Sequence, residues 1–198
     1  MVLIPNGMGG GWVIGLVEVT WKLMVVILHR LLTMGLQLHD VLHEFREGRG
    51  TGTATLEAKL LQQLAAMREE VLYVIFLGLT KAYYSLDRSQ SLEILKGYGV
   101  GERVRRMLKV YWERTTVVAR AGSYYGKGFK GGRGVTQGDP LSPTIFNVVV
   151  DAVVRHWLTI ATQESDRRGE RGREGRHQAA LFYADDGMIA SSDPLSHY

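Results

Sequence analysis

The 198-residue sequence contains no cysteine. A disulfide framework and a thiolate metal site are therefore excluded. A basic start is also missing. No Lys or Arg precedes Lys22, so the charged n-region of a secretory signal is absent. Long apolar runs are lacking too. The stretch from Trp12 to Leu36 is hydrophobic but broken by Glu18, Lys22, His29 and Arg30. Its clean runs, such as Leu23–Leu28, are too short to span a bilayer. It reads as a buried helix, and no membrane role is expected.

What is present is ordinary globular composition, 45% hydrophobic and 22% charged, which suffices for a core. The length allows one domain or two small lobes. A net charge of +4 is compatible with a phosphate-rich partner without requiring one.

Along the chain, Pro5–Gly11 holds four glycines and reads as a loop. Val17–Met34 has helical spacing, with Gly35 as a stop. His39–Phe45 reads as a short amphipathic turn, and Arg46–Thr53 as a Gly-rich basic loop. Leu56–Glu70 is the clearest helix, with Leu56, Leu60, Leu61, Leu64 and Met67 at three- and four-residue intervals and Thr53 or Thr55 as cap. Val71–Leu79 is a continuous apolar run that predicts a buried central strand. Asp87 caps a helix ending near Gly97 or Gly99, and Glu102–Arg114 forms another. Thr115–Ala121 reads as a strand turned back at Gly122-Ser123, and Gly131–Pro140 as a loop. Leu141–Thr159 predicts a long helix, Ser165–His177 a solvated loop, and Ala179–Ala184 and Met188–Ala190 two short strands. This order of elements argues for an α+β fold.

Two carboxylates, Asp185 and Asp186, stand between those last strands, followed by Gly187. Asp-Gly is a common hairpin turn, and a Tyr-x-Asp-Asp match is expected by chance in about one chain in fifty of this size. The alternative is a carboxylate pair at a hairpin tip. Mg²⁺ prefers oxygen ligands and keeps several waters, so few protein carboxylates hold it. Two such ions can clamp an attacking 3′ oxygen and a leaving pyrophosphate oxygen.

A second motif decides between these readings. Gly134-Val135-Thr136-Gln137-Gly138-Asp139-Pro140-Leu141-Ser142-Pro143 leads directly into the long helix. In order and spacing it resembles motif B of the reverse transcriptases of non-LTR retrotransposons and group II introns, and Tyr183-Ala184-Asp185-Asp186 resembles their motif C. Phe76-Leu77-Gly78-Leu79-Thr80-Lys81-Ala82-Tyr83 resembles motif A. Phe45-Arg46-Glu47-Gly48-Arg49 resembles the fingers motif F-R-x-G-R, and Leu3-Ile4-Pro5 with Ile14 the first fingers motif.

The resemblance implies a right-hand polymerase. Fingers are expected over 1–70, the motif A strand of the palm over 71–90, a fingers/palm insertion over 91–130 and the palm with motifs B and C over 131–198. An antiparallel palm sheet backed by helices would carry Gly78 on its central strand, opposite the Asp185-Asp186 hairpin, and the thumb would be absent. The implied activity is RNA-directed DNA polymerisation from an RNA template and DNA primer, with deoxynucleoside triphosphates and two Mg²⁺, or Mn²⁺, at Asp185 and Asp186. Tyr83 falls at the steric gate against a ribose 2′-OH, and Gln137 and Gly138 where the incoming nucleotide packs. Arg46 and Arg49 would approach its phosphates. An intracellular location is expected.

The sequence also departs from the family. Gly78 replaces the motif A aspartate, which would bridge both metals. Tyr84 stands where many relatives have Asp, although retroviral members carry an aromatic there. Asn6 and Trp12 stand for Lys and Arg, and Glu44 for Gly. Asp87 and Asp139 are poor substitutes for the lost carboxylate. Metal binding and turnover are therefore expected to be impaired. A non-catalytic nucleic-acid-binding remnant and, less favoured, an RNA-dependent RNA polymerase remain as other readings. Arg103, Arg105, Arg106 and Lys109 on one helix, with Lys127, Lys130 and Arg133 after it, are either a phosphate-binding surface or a solvated face.

Overall fold

The structure, a computed structural model, describes residues 2–6, 10–16, 18–121, 123–167 and 178–192. The chain divides into two compact units, one of residues 1–37 and 81–149, the other of residues 38–80 and 150–198.

The first unit opens with a hairpin. Strands β1 (Val2–Asn6) and β2 (Gly10–Ile14) pair antiparallel, with Pro5 opposite Gly11. Gly10 and Gly11 of the segment expected to be a loop thus enter the ladder, because the partner strand supplies bonds that local propensity does not; residues 7–9 lie outside the described residues. Helix α1 (Val19–Thr33) buries only the stripe Val25, Leu28 and Leu32. Leu23, Val26, Ile27 and Leu31 are exposed, so the helix expected to be buried is buried on one face alone.

The short α3 (Ala82–Ser85) follows, then α4 (Arg88–Gly97) and α5 (Glu102–Arg114). Asp87 caps α4 as expected, accepting from the backbone N–H of Ser89 at 2.9 Å and of Gln90 at 3.0 Å. Both α1 and α4 pack on α5, burying Leu95, Leu108 and Trp112. The segment expected to be one strand over Thr115–Ala121 is a bridge, Val117 with Phe129, then β4 (Arg120–Ala121) pairing with β5 (Tyr124–Tyr125). These join the hairpin in the order β2-β1-β4-β5.

In the second unit, α2 (Thr51–Met67) starts earlier than its leucine stripe. Thr53 Oγ1 accepts from the Gly50 N–H at 2.9 Å, closing the first turn. The stripe Leu56, Leu60, Leu64 and Met67 is exposed, whereas Ala54 and Ala65 are buried. The small face lies inward because α2 packs on β6, and alanines let a helix approach a sheet closely. Strands β3 (Tyr73–Gly78), β6 (Gln178–Tyr183) and β7 (Asp186–Ser191) form an antiparallel sheet in the order β3-β7-β6. The apolar run was expected to be central and buried. It is an edge strand, exposed along its length, with Phe76 at 79%. A continuous apolar strand reads as buried from composition, but only pairing decides its place in a sheet.

Helix α6 (Ser142–Arg167) is longer than expected, and takes in Ser165–Arg167 of the predicted loop. Residues 168–177 of that loop lie outside the described residues. No helix among the described residues is long and apolar enough to cross a membrane.

Candidate active site

The carboxylate pair is set by the β6–β7 ladder. Tyr183 pairs with Asp186, so the turn consists of Ala184 and Asp185, not of Asp186-Gly187. Ala184 holds φ at +51°, a left-handed conformation that a small side chain tolerates best. Gly187 is within the strand. A Cβ there would stand 2.6 Å from the Phe182 ring, which lies across it. The glycine is therefore a packing requirement and not a turn signal. Asp185 and Asp186 are both exposed.

Strand β3 registers on β7 with Phe76 opposite Met188 and Gly78 opposite Asp186. The Leu79 N–H donates to the Asp185 carbonyl at 2.8 Å, extending the contact past the strand end. A Cβ on Gly78 would meet only Asp186 Oδ1, at 4.0 Å. Position 78 is therefore adjacent to the pair and open. Among the described residues, no three His, Cys, Asp or Glu side chains are grouped so as to hold a metal ion. Beside the two exposed carboxylates, the position that could carry a third side chain is glycine.

A third carboxylate nearby is Glu44. Burial raises its pKa, and the negative charges of Asp185 and of Asp186 raise it further. The sequence marks it only as standing for Gly before Phe45-Arg46, and only the fold brings it near the pair. His43 is itself buried, with Nε2 2.9 Å from Glu57 Oε2 and Nδ1 3.0 Å from Thr53 Oγ1.

Arg46 and Arg49 are engaged locally. Arg46 donates to the carbonyls of His39 at 2.7 Å and Leu42 at 3.2 Å. Arg49 donates to Asp40 Oδ1 at 2.7 Å and to the Asp40 carbonyl. Their forked guanidinium groups hold the loop that carries them. Asp151, fully buried on α6, anchors the start of this loop by accepting from the His39 N–H at 2.5 Å, and takes Arg155 Nε at 2.6 Å.

The other residues singled out in the sequence belong to the first unit. Tyr83 stacks on Phe146 with ring centroids 5.0 Å apart, so its ring is fixed by packing. Tyr84 reaches Gln137, donating from its hydroxyl to Oε1 at 3.2 Å. Gly138 is exposed at φ +96°. The loop leading into these residues is tied to α3. Gly134 N–H donates to Leu86 O and Val135 N–H to Tyr83 O, both at 2.8 Å. Gly134 sits at φ +73°, and a Cβ there would fall 2.7 Å from Tyr84 Cα. Arg88 fastens the same loop, donating to the carbonyls of Gly134 at 2.8 Å and Gly131 at 2.5 Å with its guanidinium over Trp112.

Asp139 is not available to a ligand. It is 5% exposed, accepting from the Leu141 N–H at 3.0 Å and from the Tyr111 hydroxyl at 2.7 Å. It closes the turn that leads into α6 and holds Tyr111. Burial raises the pKa of both groups, against the hydrogen bonds that lower it for Asp139.

The basic residues of α5 are largely paired. Arg106 bonds Glu102 at 2.8 Å, Lys109 lies 3.9 Å from Glu113 and Arg105 donates to Val100 O at 3.0 Å. That is the behaviour of a solvated helix face.

A family model described as reverse transcriptase (RNA-dependent DNA polymerase) matches residues 4–197. A Pol polyprotein of a type-1 R2 retrotransposable element from Nasonia vitripennis is 30% identical over 109 residues, 55% of this chain and 10% of that protein. The corresponding polyprotein from Popillia japonica is 29% identical over 133 residues, 65% of this chain and 19% of that protein. The chain thus spans under a fifth of these relatives. Telomerase from Candida tropicalis, solved with a fragment of telomeric RNA, matches 96% of this chain with a TM-score of 0.67 at 14% identity, over 35% of its own length. Apo telomerase from the same species gives 0.59 at 17% identity, covering 96% of this chain and 43% of its own. At such identity the likeness shows the fold alone, a mixed helix-and-sheet architecture consistent with that of a reverse transcriptase. The chain belongs to the reverse transcriptase family, among the domains carried by non-LTR retrotransposons.

Proposed function

We propose that this chain is the fingers and palm of an RNA-directed DNA polymerase, impaired in this copy by the loss of one metal-binding carboxylate. The observation that carries the reading is the register of Gly78 opposite Asp186. The position that is an aspartate in the family abuts the carboxylate pair, with room for a side chain. Reverse transcriptases use divalent metal ions. Here Asp185 and Asp186 would hold Mg²⁺ or Mn²⁺ weakly, since no bridging carboxylate sets the separation of two ions.

The other roles follow motif positions. Tyr83, fixed against Phe146, acts as the gate against a 2′-hydroxyl and so selects deoxynucleoside triphosphates. Gln137 and Gly138 meet the incoming nucleotide. Arg46 and Arg49 reach its phosphates only after leaving their present partners around Asp40. The template is RNA and the primer DNA.

The second reading, a nucleic-acid-binding remnant without activity, is favoured by glycine at position 78, beside the two carboxylates. Primer extension on a poly(A) template with an oligo(dT) primer, in Mg²⁺ and then Mn²⁺, separates the two. Feeble extension that is strengthened by Gly78→Asp and abolished by Asp185→Asn supports the impaired polymerase. Robust extension by the chain as written would sink the claim of impairment. No extension by either form, with hybrid still bound, selects the remnant.

A further inference from the structure

From Arg114 to Gly138 the chain carries no Asp or Glu, but has five cations, Arg114, Arg120, Lys127, Lys130 and Arg133. The same stretch exposes three aromatic rings, Tyr124 at 81%, Tyr125 at 68% and Phe129 at 50%. Among the described residues Lys127, Lys130 and Arg133 make no ion pair, unlike Arg106 and Lys109 of α5. Exposed rings set among unpaired cations suit a single nucleic-acid strand, whose bases stack while its phosphates meet positive charge.

A cavity of about 340 Å³ opens beside this hairpin, within the first unit. Its walls include Trp21, Tyr111, Arg120 and Tyr125, with Glu18 also lining it. Arg120 lies over the Tyr125 ring at 5.4 Å, and Trp21 meets Tyr111 edge-on at 5.7 Å. The volume is in the range of small-ligand sites. Three aromatic walls favour a flat ring. Glu18 disfavours a phosphate inside and accepts from an exocyclic amino group, so the base goes in and its phosphates stay out, toward the hairpin lysines. Thr136, the residue before Gln137, also lines the cavity. The Gly15 N–H donates to the Gln137 carbonyl at 2.6 Å, so an occupant would press on motif B itself.

We infer that this cavity receives one unpaired base of a single-stranded nucleic acid, stacked at Tyr125, while Lys127, Lys130 and Arg133 hold the adjoining phosphates. The inference rests on the reading of the chain as a nucleic-acid polymerase but assigns a site that this reading does not use. The occupant is the unpaired template strand, not the paired hybrid.

The test is fluorescence anisotropy of the full chain with a labelled RNA–DNA hybrid, either blunt or with a short single-stranded template overhang, at fixed salt. The overhang is expected to tighten binding roughly five- to a hundredfold. Tyr125→Ala removes that gain and leaves blunt binding unchanged, whereas Tyr125→Trp keeps it. The ring is largely exposed, so thermal unfolding of Tyr125→Ala should match the parent. An abasic overhang of the same length loses most of the gain, because it has phosphates but no bases to stack. Blunt binding with no overhang effect, or equal gains from abasic and intact overhangs, overturns the site and leaves the polymerase reading standing. Failure to bind either hybrid overturns both.

Discussion

In the first unit the residues around motif B are held by buried bonds. Arg88, Gly134, Asp139 and Tyr111 each have a partner within hydrogen-bond reach or a backbone that only glycine fits. In the second unit Asp185, in a two-residue turn, and Asp186, at the start of β7, both stand exposed, and the neighbouring position 78 is open. The first arrangement is costly to disturb. The second is cheap to alter, since removing a side chain from an open position leaves no cavity and no orphaned partner. Stability therefore resists change in the motif B loop but is nearly blind to which residue stands at position 78.

The largest expected effect sharpens that contrast. Gly78→Asp restores a carboxylate beside Asp186 and should raise primer extension on the order of a thousandfold. Without divalent ions its melting temperature falls slightly through carboxylate repulsion, and added Mn²⁺ should reverse the fall. No gain in extension with the metal-dependent shift present would break the link between position 78 and activity.

Next in size is Gly134→Ala. The added Cβ meets the backbone of Tyr83 and Tyr84 and must adopt φ near +73°. A loss on the order of 3 kcal/mol is expected in urea unfolding. A loss below about 1 kcal/mol would show that the loop yields, and the contrast between the units would fail.

Tyr111→Phe comes third. It leaves buried Asp139 without the hydroxyl donor, for a cost of about 1–3 kcal/mol. The Tyr111 phenol is raised above its ordinary value, first by burial and then by Asp139. Its contribution to stability is thus complete below the ordinary phenol pKa and is lost as pH rises through the raised one. The parent should lose stability on this alkaline limb more steeply than the Phe variant, as followed by thermal melts across pH.

The smallest effect is Tyr84→Phe. It removes one exposed bond to Gln137 and should cost about 0.5 kcal/mol or less. The Gln137 side-chain amide signals should nevertheless shift in an NMR spectrum.

Much of the helical framework was legible. Asp87 capping α4, the span of α5 and the loop-to-helix entry at motif B follow from local rules that hold in any fold. The inward face of α2 was not. Leucine spacing pointed to one stripe, but contact with β6 selected the alanine side. Nor was the place of β3, because an apolar strand looks alike at the centre and at the edge of a sheet. Asp185, Asp186, Gly78, Tyr83 and Gln137 were singled out by motif alone. Arg88 carries no motif, and Glu44 was marked only as a departure before Phe45-Arg46; their present roles became visible only through their neighbours.

The sequence by itself determined the family, the order of its motifs and the absence of a carboxylate at position 78, because these are matters of residue type and spacing. Only the tertiary structure decided that position 78 faces Asp186, that Gly187 makes room for a ring, that Asp139 is locked to Tyr111, and that an aromatic cavity adjoins motif B. Those facts depend on strand register and on contacts between residues distant in the chain, which local propensity and periodicity do not encode.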